Sequence, residues 1–220
     1  MAKPIGFSAF LKLLELRPGP RKTELRRKLG GGRGFQYWRP TQIVAPKAIL
    51  PGANLTLLRA EISSLCSGHQ KKHNENAFDA FGKWIQGKAI SPIESLPKME
   101  VPFGNSGLIV RLHPEMSFRL DGNNYSMTLW ATTKPSLSIE TLSVGLFFLA
   151  AAYRAKQHSH QHLILDTTRN RPFREADILP SAIHLLKDKV DAFKRDWDEL
   201  NSESAKPPQT PKPDQPTATK

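Results

Sequence analysis

The first 40 residues concentrate the positive charge of the chain. They contain ten lysines and arginines against two acids, a net charge of +8, whereas the whole chain of 220 residues has a net charge of +12. Cations at this density attract polyanions and neutralise phosphates, which is the electrostatic part of nucleic-acid binding. The segment is therefore predicted to bind a polyanionic partner. The candidate phosphate-binding cations are Arg21, Lys22, Arg26, Arg27, Lys28, Arg33 and Arg39.

Aromatic residues alternate with cations at the end of this basic segment. Phe35, Tyr37 and Trp38 lie between Arg33 and Arg39. Aromatic rings stack on bases while neighbouring cations neutralise phosphates, so this combination is typical of single-strand binding surfaces. Tyr37 and Trp38 therefore join the candidate nucleic-acid-binding residues. The alternative interpretation is a flexible hinge whose aromatic side chains pack beneath the domain.

A glycine-rich stretch, residues 30–34, precedes these aromatic residues. Such a loop exposes backbone N–H groups to a phosphate, but a P-loop follows a strand and continues with Lys and then Ser or Thr. The stretch has neither feature. The pattern therefore does not favour a nucleotide-binding loop.

Two groups of residues have spacings that metal sites use. Cys66, His69 and His73 are three and four residues apart, which would align three ligands on one helix. Gly68 interrupts that helix pattern, and no fourth ligand is near in the sequence. A second group, the alternating histidines at positions 158, 160 and 162, is interpreted as a solvated stretch that follows a turn. The sequence therefore predicts no metal ligand and no resident cofactor.

The hydrophobic pattern predicts helices before and after a set of strands. Apolar residues recur at helical spacing, and Asn54 and Ser138 are suitable N-caps for two of the helices. The predicted helices are residues 5–14, 20–29, 54–65, 71–86, 139–155 and 179–200.

Between residues 108 and 168 the apolar residues change to a period of two, which is typical of strands. Residues 108–112, 114–120 and 125–131 are predicted to form an antiparallel three-strand meander, because residues 121–124, Asp-Gly-Asn-Asn, are a strong turn signal. A buried helix then leads to a fourth strand at residues 162–167, which is expected to be parallel to a neighbour. The fold class predicted is α/β (α+β), with a small mixed sheet flanked by helices.

Composition divides the chain into three predicted parts. Residues 1–53 form a basic, Gly- and Pro-rich extension with short helices, residues 54–200 form a single core domain, and residues 201–220 form a disordered tail without apolar anchors. The single cysteine excludes an internal disulfide. The longest apolar run, residues 141–153, is too short for a membrane span of about 20 residues. A cytoplasmic location is expected, and the oligomeric state is left open.

The order of helix, three-strand meander, buried helix and strand resembles the core of the PD-(D/E)XK, or restriction-endonuclease-like, superfamily over about residues 70–168. The opening segment, residues 10–32, is also similar to uncharacterised proteobacterial proteins, which implies no activity. The superfamily resemblance implies a site in which carboxylates hold a divalent metal ion and a lysine helps to activate water for phosphodiester cleavage.

Carried over residue by residue, the resemblance implies a degenerate site. Pro114-Glu115 resembles the Pro-Asp element at the second strand, and Glu75 corresponds to the acid often found on the preceding helix. The third strand, residues 126–131, has neither the acid nor the lysine of the family motif, and the nearest lysine is Lys134. Catalysis, if present, would therefore depend on Glu115, Glu75 and Lys134 with Mg²⁺.

Three functions are compatible with these patterns. The sequence favours a non-catalytic nucleic-acid-binding protein on a nuclease-like fold, because the basic and aromatic segment accompanies an incomplete carboxylate site. The second is a divalent-metal-dependent nuclease with a migrated active site. The third is an interaction module whose basic segment binds an acidic protein or an anionic membrane surface, since charge alone does not distinguish these partners from nucleic acid.

Overall fold

The computed structural model describes residues 4–29 and 37–204. Within these ranges the protein has an α+β fold with two mixed sheets, one of five strands and one of three. The α-helices are α1 Phe7–Glu15, α2 Pro18–Leu29, α3 Arg39–Val44, α4 Leu55–Leu65, α5 Gly68–Ile85, α6 Ile139–Arg154 and α7 Ala182–Ser204; short 3-10 helices occur at Ala45–Ile49 and Glu175–Asp177. The strands are β1 Ile5–Gly6, β2 Ile90–Pro92, β3 Met99–Pro102, β4 Ile109–Leu112, β5 Met116–Leu120, β6 Asn123–Trp130, β7 Gln161–Asp166 and β8 Arg171–Arg174.

The larger sheet has the strand order β2-β5-β6-β7-β8. β2, β5 and β6 are antiparallel neighbours, and the chain then passes through α6 to β7, which lies parallel to β6 with Thr128 opposite Ile164. The long helix provides the crossover that a parallel neighbour requires. The predicted parallel strand after the buried helix is therefore confirmed.

The predicted meander is wrong in its first strand. β4 pairs with β3 and β1 in the smaller sheet, and β2 takes the place beside β5, with Ile90 opposite Leu120. Both β2 and β3 lie in residues 87–107, for which the sequence predicts neither a helix nor a strand. Pro92 and Pro102 conceal these strands in the sequence, but a proline is tolerated at the end of an edge strand, where no ladder hydrogen bond is lost.

The segment predicted as an N-terminal extension is part of the core. β1 pairs in parallel with β4, and Phe10, Leu11 and Leu14 of α1 are 0% exposed. The carboxylate of Glu15 at the end of α1 accepts hydrogen bonds from the backbone N–H and the hydroxyl of Ser138, the N-cap of α6. The predicted division between extension and core therefore does not separate two packing units.

The middle strands of the larger sheet are covered on both faces. Side chains alternate along a strand, so Met127 and Leu163 join the cluster that includes Phe81 of α5, whereas Trp130 and Ile164 join the cluster of α1, α6 and α7. Because both faces are covered, six consecutive residues of β6 and five consecutive residues of β7 are buried.

His162 differs from the expectation of a solvated histidine. It lies in β7 opposite Ser126 of β6, is 0% exposed, and its Nδ1 lies 2.5 Å from the hydroxyl of Ser126. Burial lowers the pKa of His162 to about 3. The neutral imidazole is therefore a core residue of the sheet.

The final helix, α7, ends at Ser204 instead of near residue 200. The first four residues of the predicted tail are thus helical, and residues 205–220 lie outside the described residues. In the part of the chain that the structure describes, no helix combines the length and the apolar composition that a membrane span requires.

The loop between β3 and β4 gives a test of how α7 packs on the smaller sheet. Gly107 has a φ of +78°, and a Cβ on it would lie 2.8 Å from the indole nitrogen of Trp197, whereas Gly122 has the same φ of +78° with nothing within 4 Å. We expect Gly122→Ala to lower the free energy of unfolding by about 1 kcal/mol through backbone strain alone. Gly107→Ala should lower it by about 2–4 kcal/mol, because overpacking is added to that strain. Urea unfolding measures both, and equal losses would contradict the close packing of α7.

Candidate functional site

A cleft of about 580 Å³ opens beside the first turn of α1. Its walls come from four parts of the chain: the start of α1, the helix α3, the ends of β3 and β4, and the segment that leads into β5 and faces β6. The lining residues are Gly6, Phe7, Ser8, Ala9, Arg39, Gln42, Ile43, Lys98, Arg111, His113, Glu115 and Thr128.

Three cations line this cleft from three different elements. Arg39 begins α3, Lys98 immediately precedes β3, and Arg111 lies in β4. Arg111 donates to Glu100 of β3 with an Nη2–Oε1 distance of 2.8 Å, but both side chains are 50% exposed, and an exposed pair of this kind contributes little. Within residues 4–29 and 37–204, Arg39 and Lys98 form no salt bridge. Arg39 and Lys98 therefore offer charge that is available to an anion, whereas Glu100 partly offsets the charge of Arg111.

The N-terminus of α1 adds backbone donors to the same cleft. Gly6 is the N-cap of α1 and supplies no side-chain hydrogen bond, and the first turn holds no acidic residue. Phe7, Ser8 and Ala9, the first residues of the helix, line the cleft. The helix dipole favours an anion at such a terminus, and the three cations favour an anion as well.

Glu115 lies at the base of the cleft as its acidic member. One carboxyl oxygen accepts a hydrogen bond from the side chain of Gln42 at 2.9 Å, and the other accepts one from the backbone N–H of Leu129 at 3.1 Å. Burial raises the pKa of Glu115 to about 7, against the lowering effect of these hydrogen bonds. Near neutral pH the carboxyl is therefore partly protonated, and it repels an anion less than an ordinary glutamate would.

His113 is the neutral member of the cleft. Desolvation, and then the charge of Lys98, lower the pKa of His113. The imidazole is thus held in its uncharged form near neutral pH, where it donates or accepts a hydrogen bond. The cleft as a whole combines fixed cations, helix N–H groups and two titratable side chains, an arrangement suited to binding phosphate or carboxylate groups.

Arg21, one of the sequence-predicted binding residues, is buried and has a structural role. It is 5% exposed, its Nε donates to Asp196 of α7 at 2.6 Å, and its guanidinium lies 5.1 Å from the ring centre of Phe193. These contacts join α2 to α7. We therefore leave Arg21 out of the candidate phosphate-binding surface.

The remaining predicted cations of α2 are only partly available. Lys22 pairs with Glu199, and Arg27 pairs with Glu24 at 2.6 Å. Lys28 is half-buried, while Arg26 is exposed. Because acids of α2 and α7 offset much of the charge, this helix presents a weaker positive surface than its composition predicts.

The remaining sequence-predicted binding residues are Arg33, Tyr37, Trp38 and Arg39. Arg33 lies outside the described residues. Tyr37 and Trp38 lie next to each other with their rings edge to face at 5.0 Å, and the ring of Trp38 stacks with that of His73 at 6.3 Å. Arg39 follows directly and lines the cleft. The aromatic pair is therefore adjacent to the cleft along the chain.

The three residues of the nuclease alternative have separate environments. Glu75 pairs with Arg59 and hydrogen-bonds to Ser63, both in α4, whereas Glu115 bonds to Gln42 and Leu129. Lys134 is exposed beyond the end of β6. In the described ranges, no three or more His, Cys, Asp or Glu side chains are grouped so that they could hold a metal ion.

Sequence reasoning missed most of the cleft. Arg111 lies in the predicted first strand of the meander, and Lys98, His113 and Gln42 lie in stretches for which the sequence predicts neither a helix nor a strand. Each has an ordinary local context, and no spacing links them to Arg39. The one signal available was the proline-flanked Glu115, which the family resemblance had singled out.

Comparison with known proteins adds no family to this description. No protein-family model matches the chain, and no curated protein matches it.

The titration of Glu115 predicts a pH dependence of stability. The native state retains this proton up to a pKa of about 7, whereas the unfolded state releases it near 4.5. Between these values the native state binds more protons, so this residue lowers the free energy of unfolding as pH rises, by up to about 3 kcal/mol in total. We expect Glu115→Gln to remove this pH-dependent component. The free energy of unfolding of the wild type minus that of the variant, measured by urea unfolding from pH 4.5 to 8, should therefore fall as pH rises. Glu94→Gln, at an exposed site, is the control, and a difference that is flat with pH for Glu115→Gln would refute the assignment.

The ion pair of Arg21 with Asp196 predicts a stability effect that surface pairs lack. Arg21→Met leaves the buried carboxylate of Asp196 without its partner, so the free energy of unfolding should fall by about 3–5 kcal/mol. Lys22→Met breaks the more exposed pair with Glu199 and should cost about 0–1 kcal/mol. Chemical denaturation at pH 7 compares the two. A loss for Arg21→Met as small as that for Lys22→Met would mean that Arg21 does not join α2 to α7.

Proposed function

We propose that this chain is a non-catalytic nucleic-acid-binding protein on a PD-(D/E)XK-like fold, and that the cleft beside α1 binds phosphates of the nucleic-acid backbone. The observation that carries the proposal is the convergence of Arg39, Lys98 and Arg111 with the uncapped N-terminus of α1. Phosphate contacts of this kind provide sequence-independent affinity.

The arrangement of the larger sheet supports the fold part of the proposal. The order α5, β2, β5, β6, α6, β7 follows the helix, three strands, helix and strand of the superfamily core, with β3 and β4 inserted after β2. Glu115 precedes β5, the second strand of this core, as the resemblance implies. Its neighbour in the cleft from β6 is Thr128, a neutral residue where the family has an acid.

We propose a non-catalytic role because of the ligands that the cleft offers to a divalent metal ion. A hard cation such as Mg²⁺ takes about six oxygen ligands and is usually held by more than one carboxylate or by carboxylate and substrate together. Among the described residues, Glu115 is the one acid that lines the cleft, and both of its oxygens already accept hydrogen bonds. The cleft is also lined by Arg39, Lys98, Arg111 and the first residues of α1, which suits a bound phosphate better than a divalent metal ion.

The nucleic-acid proposal also fits the uneven charge of the chain. Of the net charge of +12, a share of +8 lies in the first 40 residues, which include α1, α2 and Arg39. α2 follows the C-terminal end of α1, and the cleft lies at the N-terminal end, a helix length of about 13 Å away. We therefore treat the cleft as the primary phosphate site and the exposed cations of α2 as a supplement. A cytoplasmic location, in contact with RNA and DNA, is part of the proposal.

Binding measured as a function of salt tests the proposal. For labelled oligonucleotides, log K falls as log salt rises. Replacing Arg39, Lys98 and Arg111 together by alanine should reduce the magnitude of this slope by about two to three, because each phosphate contact contributes about 0.7–0.9 to it. Replacing Arg26, Arg27 and Lys28 by alanine should reduce the slope less. Lys83→Ala with Lys187→Ala, at exposed positions outside the cleft, is the matched control and should retain the wild-type slope.

Each contrary result points to a different function. Unchanged affinity in the cleft variant would refute the cleft as the phosphate site. Magnesium-dependent cleavage of the oligonucleotide that Glu115→Gln abolishes would establish the nuclease alternative. Sedimentation with anionic liposomes in the absence of oligonucleotide binding would establish the membrane-surface alternative.

A further inference from the structure

Three aromatic rings form a cluster next to Arg39, which lines the cleft. Tyr37, Trp38 and His73 are in mutual contact, with Tyr37 and His73 ring centres 5.8 Å apart and Trp38 and His73 stacked at 25° between their planes. Tyr37 and Trp38 are half-buried, and His73 is exposed. The imidazole is thus the outer ring of the stack on Trp38.

The cluster is held in place by hydrogen bonds to two other elements. The Tyr37 hydroxyl lies 2.7 Å from Nδ1 of His73, and the Trp38 indole nitrogen donates to the hydroxyl of Thr132 at 3.1 Å. The backbone carbonyl of Tyr37 accepts from the side chains of Gln70 and Asn74 in α5, each at 2.9 Å. Rings fixed in this way lose little conformational freedom when another flat group stacks on them.

The cluster is close to the phosphate-binding part of the cleft. Arg39 follows Trp38 directly and lines the cleft. Thr128 of β6 lines the cleft, and Thr132, two residues beyond the end of β6, binds Trp38. The Cα atoms of these two threonines are at most about 14 Å apart because four extended residues span no more.

From this geometry we infer that the ligand of the cleft is single-stranded nucleic acid, with backbone phosphates beside Arg39, Lys98 and Arg111 and a base stacked on the outer face of His73. The inference rests on the proposed function and specifies its substrate class. Bases of a single strand present their faces to aromatic side chains, and every base has such a face, so the contact does not depend on sequence. A duplex covers these faces and must unstack a base, at a cost of a few kcal/mol, before one can reach the ring.

The test compares strands and variants by fluorescence anisotropy of end-labelled 12-mers. Probes are single-stranded DNA, single-stranded RNA of the same sequence, and the DNA duplex, at one salt concentration and again over a salt series. We expect at least one single strand to bind about tenfold or more tightly than the duplex, since each stacked base contributes that order of affinity. The two single-stranded probes distinguish DNA from RNA as the source of the base.

His73 gives a sharp set of variants because its side chain is exposed. His73→Ala should weaken single-strand binding about tenfold and leave the salt slope unchanged, whereas His73→Phe, which keeps a flat ring, should retain most of the affinity. His69→Ala removes an exposed histidine one turn earlier on the same helix, outside the cluster, and should have no effect. Trp38→Ala, checked for folding by circular dichroism, should reproduce the loss.

The inference and the proposed function fail in different ways. Equal or tighter binding of the duplex, or full single-strand affinity in both His73→Ala and Trp38→Ala, would overturn the stacking inference while the phosphate-binding cleft remains. An absence of binding to all three probes at low salt would overturn the proposed function and, with it, the inference.

Discussion

The central strand β6 is buried along six of its eight residues, and this burial constrains several of the polar groups that approach it. A polar group removed from water needs a hydrogen-bond partner, or its desolvation destabilises the fold. Ser126 is therefore matched by His162 on the next strand, and the N–H of Leu129 is matched by the carboxylate of Glu115. Just beyond the strand, Thr132 binds the indole of Trp38. The cleft and the aromatic cluster are both anchored to this one strand.

The same constraint gives Glu115 its unusual chemistry. The carboxyl lies where burial favours its neutral form, and Gln42 and Leu129 keep it oriented without restoring its ordinary pKa. A partly protonated carboxyl makes the cleft less repulsive to phosphate than a fully ionised one. In the proposed function, the position that resembles a nuclease carboxylate therefore supports the shape and charge of a binding site.

Local sequence signals predicted the elements whose stability is local. The Ser138 cap and the apolar run after it predicted α6, and the turn at residues 121–124 predicted the pairing of β5 with β6. Short strands with prolines, β2, β3 and β8, were missed because their stability comes from partners elsewhere in the chain. For the same reason the charge of Arg21 was assigned to a surface, although Asp196, 175 residues away, neutralises it in the interior.

By itself the sequence determined the α+β class, the long buried helix with its parallel return strand, and the excess of positive charge near the beginning of the chain. These depend on periodicity, caps, turns and composition, which neighbouring residues specify together. Only the tertiary structure decided which cations remain available, because ion pairing between α2 and α7 and the convergence of Arg39, Lys98 and Arg111 on one cleft are contacts between distant segments. Such contacts are set by how helices and sheets pack, and no local pattern encodes them.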